Sequence, residues 1–312
     1  MKFAPQVSVI MPTYNRAWCL DEAIESVMAI ESPALELLVV DDGSRDGTAA
    51  LLAARQQRHG ERLRVLRHAD GGNRGIAASR NLAIAQARAP LLAFLDSDDW
   101  YLPQRFDCAL QVLAERPQLD AVIEPYEIDN EGQRSLEWHL TRLPPDAEGA
   151  IAALPAMLEQ QLGWTVPVIT VRRAAIEALG GFQPRFAVAE DTALWLRLAA
   201  TRRVGVAQSE RPVARVRRHA AHSWSALDQE RAWMVYLDVL IDTLRFAQVA
   251  QADADARRRL ARRLRSYLIE TLCLRAARRG TRLRAWWRSV CALPSLAFDR
   301  AVAANLARQW MP

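Results

Sequence analysis

The chain has 312 residues, 51% of them hydrophobic and 25% charged, with 13 Gly and 15 Pro, a profile that excludes disordered, collagen-like and low-complexity proteins. Its four cysteines, Cys19, Cys108, Cys273 and Cys291, form no C-x-x-C and no short Cys/His spacing, which argues against a disulfide framework or a zinc module. The net charge of +5 is uneven, because residues 1–225 carry 25 Lys+Arg against 28 Asp+Glu while residues 226–312 carry 16 against 8.

Val7 to Met11 is short, apolar and β-branched and stops at Pro12, which predicts a strand buried on both faces of a parallel sheet. Leu20, Ala23, Ile24, Val27 and Met28 then recur at helical spacing. A second strand, Leu37 to Val40, ends in Asp41-Asp42-Gly43-Ser44, and Thr48 to Arg58 reads as a helix. Leu63 to Leu66 predicts a third strand, Ile76 to Ala87 a helix, and Leu91 to Leu95 a fourth strand closed by Asp96-Ser97-Asp98-Asp99. This alternation predicts an α/β fold, a Rossmann-like and mostly parallel sheet with helices on both faces and ligands bound beyond the carboxyl ends of its strands. Past residue 120 the pattern loosens: Ala121 to Ile123 and Val166 to Val171 read as strands, 129–150 as a polar connection and Ala187 to Ala200 as a helix. Leu/Ala/Arg segments at 226–250 and 253–279 predict a C-terminal all-helical appendage. The expected organisation is a domain over 1–225, with halves at about 1–120 and 121–225, and a basic helical region over 226–312.

Three carboxylates packed into Asp96-Ser97-Asp98-Asp99 repel one another, so they require a cation or solvent. At a strand end, hard oxygen ligands suit Mg2+ or Mn2+ held together with the phosphates of a nucleotide, although an acidic turn capping a helix reads the same way. Asp41 and Asp42 sit where a base or ribose would donate hydrogen bonds, or where a turn simply caps the next helix. Pro12-Thr13-Tyr14-Asn15-Arg16 contains no glycine, which excludes both the dinucleotide fingerprint and the Walker A loop. A pyrophosphate here would have to be neutralised by metal and Arg. Glu190-Asp191 opens a predicted helix, where acids serve as a base or are simply favoured by the helix dipole.

Five segments, V-S-V-I-M-P-T-Y-N-R, V-V-D-D-G-S-R-D-G-T, N-R-G-I-A-A-S-R-N-L-A, F-L-D-S-D-D and A-E-D-T-A-L-W-L-R-L-A, occur in that order and closely resemble glycosyltransferase family 2 on a GT-A fold. The resemblance spans roughly residues 5 to 225. It implies an inverting, metal-dependent transferase that moves a sugar from a nucleotide diphosphate donor, usually a UDP-sugar, to a hydroxyl of a glycan, a lipid-linked or another acceptor in surface polysaccharide biosynthesis. It also implies that Pro12, Thr13, Tyr14, Asn15 and Asp41 belong to the nucleotide pocket, that Asp42 contacts the base, and that Arg80 lies near the phosphates. Asp96 is expected at the ribose, Asp98 and Asp99 at Mn2+ or Mg2+, and Asp191 as the base with Glu190 beside it. In R-V-R-R-H-A-A-H-S-W-S, over 215–225, His219 best fits the family's His that approaches the metal, with His222 as its substitute and an exposed loop residue as the ordinary alternative for either, and Val216 replaces the aromatic residue that often precedes the Arg if Arg217 is the equivalent. Trp164, Gly181, Phe182 and Trp195 correspond to the acceptor pocket, with a core tryptophan as the ordinary alternative for Trp164. Without spanning helices or a Q-x-x-R-W motif, the expected product carries one or a few added sugars. The competing reading is a non-catalytic nucleotide-sugar-binding scaffold of the same fold.

The arginines of the tail, including 257–259, 262, 263, 265, 275, 278 and 279, suit solvated helix faces. With Trp286, Trp287, Leu293 and Phe298 they also suit an anionic membrane surface met by residues 257–298. No nucleic-acid recognition motif accompanies them, so nucleic acid is not an expected partner. The N-terminal apolar run of about five residues is shorter than the roughly 7–15 of a signal-peptide core. The expected location is cytoplasmic, peripheral at the inner membrane face.

Overall fold

A computed structural model of the protein describes residues 3–137, 139–159, 164–207, 211–218, 228–273 and 279–307. The first part alternates β1 (Val7–Thr13), α1 (Leu20–Met28), β2 (Leu35–Asp41), α2 (Thr48–His59), β3 (Leu63–Arg67), α3 (Ile76–Gln86) and β4 (Leu91–Phe94). There follow β5 (Trp100–Tyr101), α4 (Asp107–Glu115), β6 (Ala121–Ile123), β7 (Tyr126–Asn130), β8 (Gln133–Glu137), α5 (Ala153–Glu159) and β9 (Ile169–Arg172). Next come α6 (Arg173–Ala178), α7 (Glu190–Thr201), β10 (Val204–Val206), β11 (Ala214–Arg218), α8 (Gln229–Val249), α9 (Ala254–Cys273), α10 (Arg279–Ala292) and α11 (Arg300–Ala307).

Seven strands form the main sheet in the order β10-β6-β9-β4-β1-β2-β3. All pairings are parallel except those of β9, which runs antiparallel to β4 and β6. The predicted strand at Val166 begins instead as a 3-10 turn over Val166–Val168, because Pro167 has no N–H to give a ladder, and pairing starts at Ile169. Alternate side chains of the central strands feed two cores. Val9, Met11, Leu37 and Val39 pack with α1 on one face, and Ile10, Leu38, Val40 and Phe94 pack on the other. The five apolar positions expected on the first helix are the five that α1 buries.

A second sheet, β5-β11-β7-β8, was not evident from the sequence. Its β7–β8 hairpin turns through Glu131 and Gly132, both at positive φ, and β8 is almost wholly exposed, so no apolar alternation marks it. The C-terminal helices share the second core. Leu237, Leu240, Ile241 and Leu244 of α8 join Leu194, Leu196 and Leu198 of α7 in one cluster. Arg197 of α7 donates to Asp242 of α8 at 2.6 and 2.9 Å inside that interface. The change near residue 225 is therefore one of composition, with the core continuous across it. Among the described residues no helix is long and apolar enough to cross a membrane.

Candidate active site

From β1 the chain builds the sheet toward β2 and β3, and from β4 the sheet extends to the other side, so the adjacent ends of β1 and β4 form the crevice where ligands of open α/β sheets bind. A cleft of about 480 Å³ opens there. Pro12, Thr13 and Tyr14 line it from the end of β1, Asp42 from the end of β2, and Asp96 to Asp99 from the end of β4. Asn73, Gly75 and Arg80 line it from α3 and its approach, and Ala187 to Asp191 from the start of α7.

Asp42 shapes the first wall. Its Oδ1 accepts the Arg74 N–H at 2.7 Å and its Oδ2 the Gly75 N–H at 2.9 Å, which clamps the loop ahead of α3. Gly43 permits the clamp: its φ is +81°, and a Cβ there would lie 3.0 Å from the Gly71 carbonyl oxygen. The residue expected to contact a base thus reaches the cleft with both oxygens already engaged by backbone. Asp41 does not line the cleft, since its carboxylate accepts the Ser44 N–H at 2.9 Å and meets Arg67 at 3.0 Å. Asn15 is also absent from the lining; its side chain accepts the Arg45 N–H at 2.8 Å and braces the β1–α1 loop.

Arg80 stands at the centre with only 1% of its surface exposed. It donates to Asp96 Oδ1 and to Glu190 Oε1, each at 2.6 Å, and its guanidinium lies 4.9 Å above the Phe182 ring. Burial opposes its charge, but Asp96, Glu190 and Asp191 outweigh burial and hold its pKa above the ordinary arginine value. It lines the cleft and braces the β4 turn against the head of α7.

The carboxylate turn carries surplus negative charge. Burial raises Asp96, which the charge of Asp98 reinforces and Arg80 opposes. Burial together with Asp96 and Asp98 pushes Asp99 well above the usual carboxylate range, although its Oδ1 accepts the Arg217 N–H at 2.9 Å. Arg16 approaches Asp98 at 3.7 Å. Hard oxygen donors that destabilise one another's ionised forms fit a divalent cation, which would relieve the repulsion. Among the described residues no three His, Cys, Asp or Glu side chains converge as a metal cage. Such an ion, if bound, would therefore depend on a nucleotide's phosphates for further ligands. His219 and His222 lie outside the described residues.

Across the cleft, Ala189 adopts a left-handed conformation with φ 64° and turns the first two residues of α7 into the lining. Burial pushes Glu190 up to about 7, against the pull of Arg80 and with the help of Asp191. Asp191 Oδ1 accepts the Thr192 N–H at 2.6 Å. Behind them Phe94, Trp164, Phe182 and Trp195 form a buried aromatic cluster with ring centroids 5.4 to 6.1 Å apart. Trp164, Gly181, Phe182 and Trp195, expected at the acceptor pocket, therefore lie outside the cleft lining. The three aromatics support its floor, and Gly181 leaves room for the Asn81 amide, which bonds the Phe182 backbone.

Arg16 and Asn73 reach the cleft without having been assigned a role from sequence, although both stand inside the motifs quoted above. Ala187 to Ala189, expected to begin the helix, instead form the turn ahead of α7, because Ala189 is left-handed and the helix starts at Glu190.

A family model for glycosyl transferase family 2 matches residues 8–169. The chain belongs to that family. This family 2 member is 37% identical over 161 residues to the succinoglycan biosynthesis protein ExoO of Rhizobium meliloti, an alignment covering 51% of this chain and 43% of that protein. It spans about half the length of the curated relatives it matches. Among solved structures it resembles S. aureus TarS 1-349 in complex with UDP at a TM-score of 0.69 and 19% identity, covering 98% of this chain and 92% of that one. It also resembles the mannosyltransferase PcManGT from Pyrobaculum calidifontis in complex with GDP-Man and Mn2+, at a TM-score of 0.57 and 19% identity, over 99% of this chain and 80% of that one. The family 2 member thus has the GT-A fold expected from its motifs, with the helical appendage after it.

Proposed function

We propose that this family 2 protein is an inverting glycosyltransferase that moves a sugar from a nucleoside diphosphate donor, a uridine diphosphate sugar foremost, to an acceptor hydroxyl in surface polysaccharide assembly. The observation that carries this reading is the Asp96–Arg80–Glu190 bridge, which holds the carboxylate turn and the head of α7 on one cleft. The names of the relatives support it: succinoglycan biosynthesis for ExoO, and complexes with UDP for TarS and with GDP-Man and Mn2+ for PcManGT.

Pro12, Tyr14 and the loop clamped by Asp42 form the wall for the base. Asp98 and Asp99 would hold Mn2+ or Mg2+, which when bound offsets the negative charge that develops on a departing diphosphate. Arg16 adds a fixed cation at that end. Asp191 takes the proton of the acceptor hydroxyl, whose oxygen bonds to the anomeric carbon as the bond to the diphosphate oxygen breaks. Attack from the face opposite the leaving group inverts that carbon, and no covalent nucleophile is needed. Among the described residues Cys19, Cys108 and Cys291 form no disulfide, which suits a reducing cytoplasmic compartment.

Release of nucleoside diphosphate from a panel of nucleotide sugars, with and without Mn2+, tests the reading. Wild type is expected to turn over a uridine diphosphate sugar, and chelator or Asp98→Ala to stop it. Turnover indifferent to both removes the metal role. Failure of every nucleotide sugar to shift the melting temperature removes the transferase reading.

A further inference from the structure

We propose that the outer face of α10 and the turn after it dock on an anionic lipid surface. Leu283 and Trp287 stand four residues apart on α10, and so do Arg284 and Arg288, which makes two adjacent stripes along one side of the helix. Leu283 is 40% exposed, Trp287 61%, and Phe298, on the 3-10 turn that packs against α10, 89%. The opposite face is pinned in the core through Ala285, Ser289 and Ala292, so the rings cannot fold back onto the protein.

The charge of this region selects the partner. Arg284, Arg288 and Arg300 carry its described surface charge, while Arg282 is buried, Asp299 is paired with Arg265, and Asp228 and Glu230 line a hollow beside Arg284 and Arg288. Arg284 and Arg300 are exposed and make no ion pair among the described residues. Arg288 meets Asp238 at 2.8 Å and remains half exposed. Exposed aromatic rings flanked by Arg284 and Arg300 match the boundary between anionic headgroups and acyl chains. A helix of 14 residues is about 21 Å long, short of the roughly 30 Å of a bilayer core, so it would lie in the plane of the surface. This inference does not depend on the transferase reading.

The test is flotation of the full chain with neutral vesicles and with vesicles containing about 30 mol% anionic lipid, at low and high salt. Binding is expected to the anionic vesicles alone and to fall at high salt. The pair Arg284→Glu and Arg300→Glu, and separately the pair Trp287→Ser and Phe298→Ser, are each expected to weaken it by about ten-fold or more. All four positions are exposed, and an unchanged melting temperature verifies that the variants fold. Val249→Ser, at an exposed apolar position on the end of α8, is expected to leave binding unchanged. The proposal is overturned by equal binding to neutral vesicles, by retention of binding in both paired variants, or by a Val249→Ser loss as large as theirs. Self-association abolished by Trp287→Ser in the absence of vesicle binding also overturns it, in favour of a second copy as the occupant.

Discussion

Two buried arginines occupy opposite sides of the central sheet and behave differently. Arg105 is 0% exposed and donates to Glu124 at 2.7 Å, to the Thr170 hydroxyl at 3.1 Å and to the Ile169 carbonyl at 2.8 Å, with its guanidinium over Tyr101 and Phe106. There one cation faces one acid, sealed from solvent. Arg80 is as deeply buried and likewise stacked on an aromatic ring, yet it faces two acids, and Asp98, Asp99 and Asp191 line the same open cleft. A buried ion pair by itself therefore marks no site. Negative charge in excess of the local cations, turned toward a cleft, does.

The strongest way to break this contrast is through turnover. Asp191→Asn is expected to lower it by about 10²–10⁴-fold while donor binding measured by calorimetry stays near wild type. Retained turnover would move the base elsewhere. Next come the arginines themselves: Arg80→Ala and Arg105→Ala should each cost about 3–5 kcal/mol in urea unfolding, because each leaves a buried carboxylate unpaired. Only the Arg80 variant is expected also to lose kcat per folded molecule, with part recovered in Arg80→Lys. Equal activity losses in the two variants would erase the distinction.

A smaller effect concerns pH. Glu190 is raised from 4.5 to about 7, so the protonated form contributes stability that is complete below 4.5 and lost as the pH rises through about 7. The melting temperature of the wild type should carry a falling component over that interval, and Glu190→Gln should flatten it. The smallest expected change is at Gly43, where alanine would be forced to φ +81° against the Gly71 carbonyl at a cost of about 1–2 kcal/mol. Its readout is weaker nucleotide binding through a loosened loop at 71–75.

The first four strands and the burial stripe of α1 were legible because strand and helix periods write themselves into apolar spacing. The acidic turn was legible because three carboxylates after an apolar strand have few structural uses. The β7–β8 hairpin was not, since an exposed two-stranded ribbon needs no apolar alternation, and neither was the direction of β9, which depends on where the chain re-enters the sheet. The role of Trp164, Phe182 and Trp195 was also hidden: an aromatic side chain reads the same in a sequence whether it lines a cleft or supports its floor.

Local patterning thus determined the alternating elements, the acidic strand end and the basic tail, because each follows from neighbours a few residues apart. Tertiary structure alone decided that Arg80 joins residues 16 and 110 positions away, and that Asp42 spends its oxygens on backbone 32 and 33 residues on. It likewise decided that α8 covers the outer side of α7. Charge balance and burial depend on distance in space, and a linear pattern does not encode that distance.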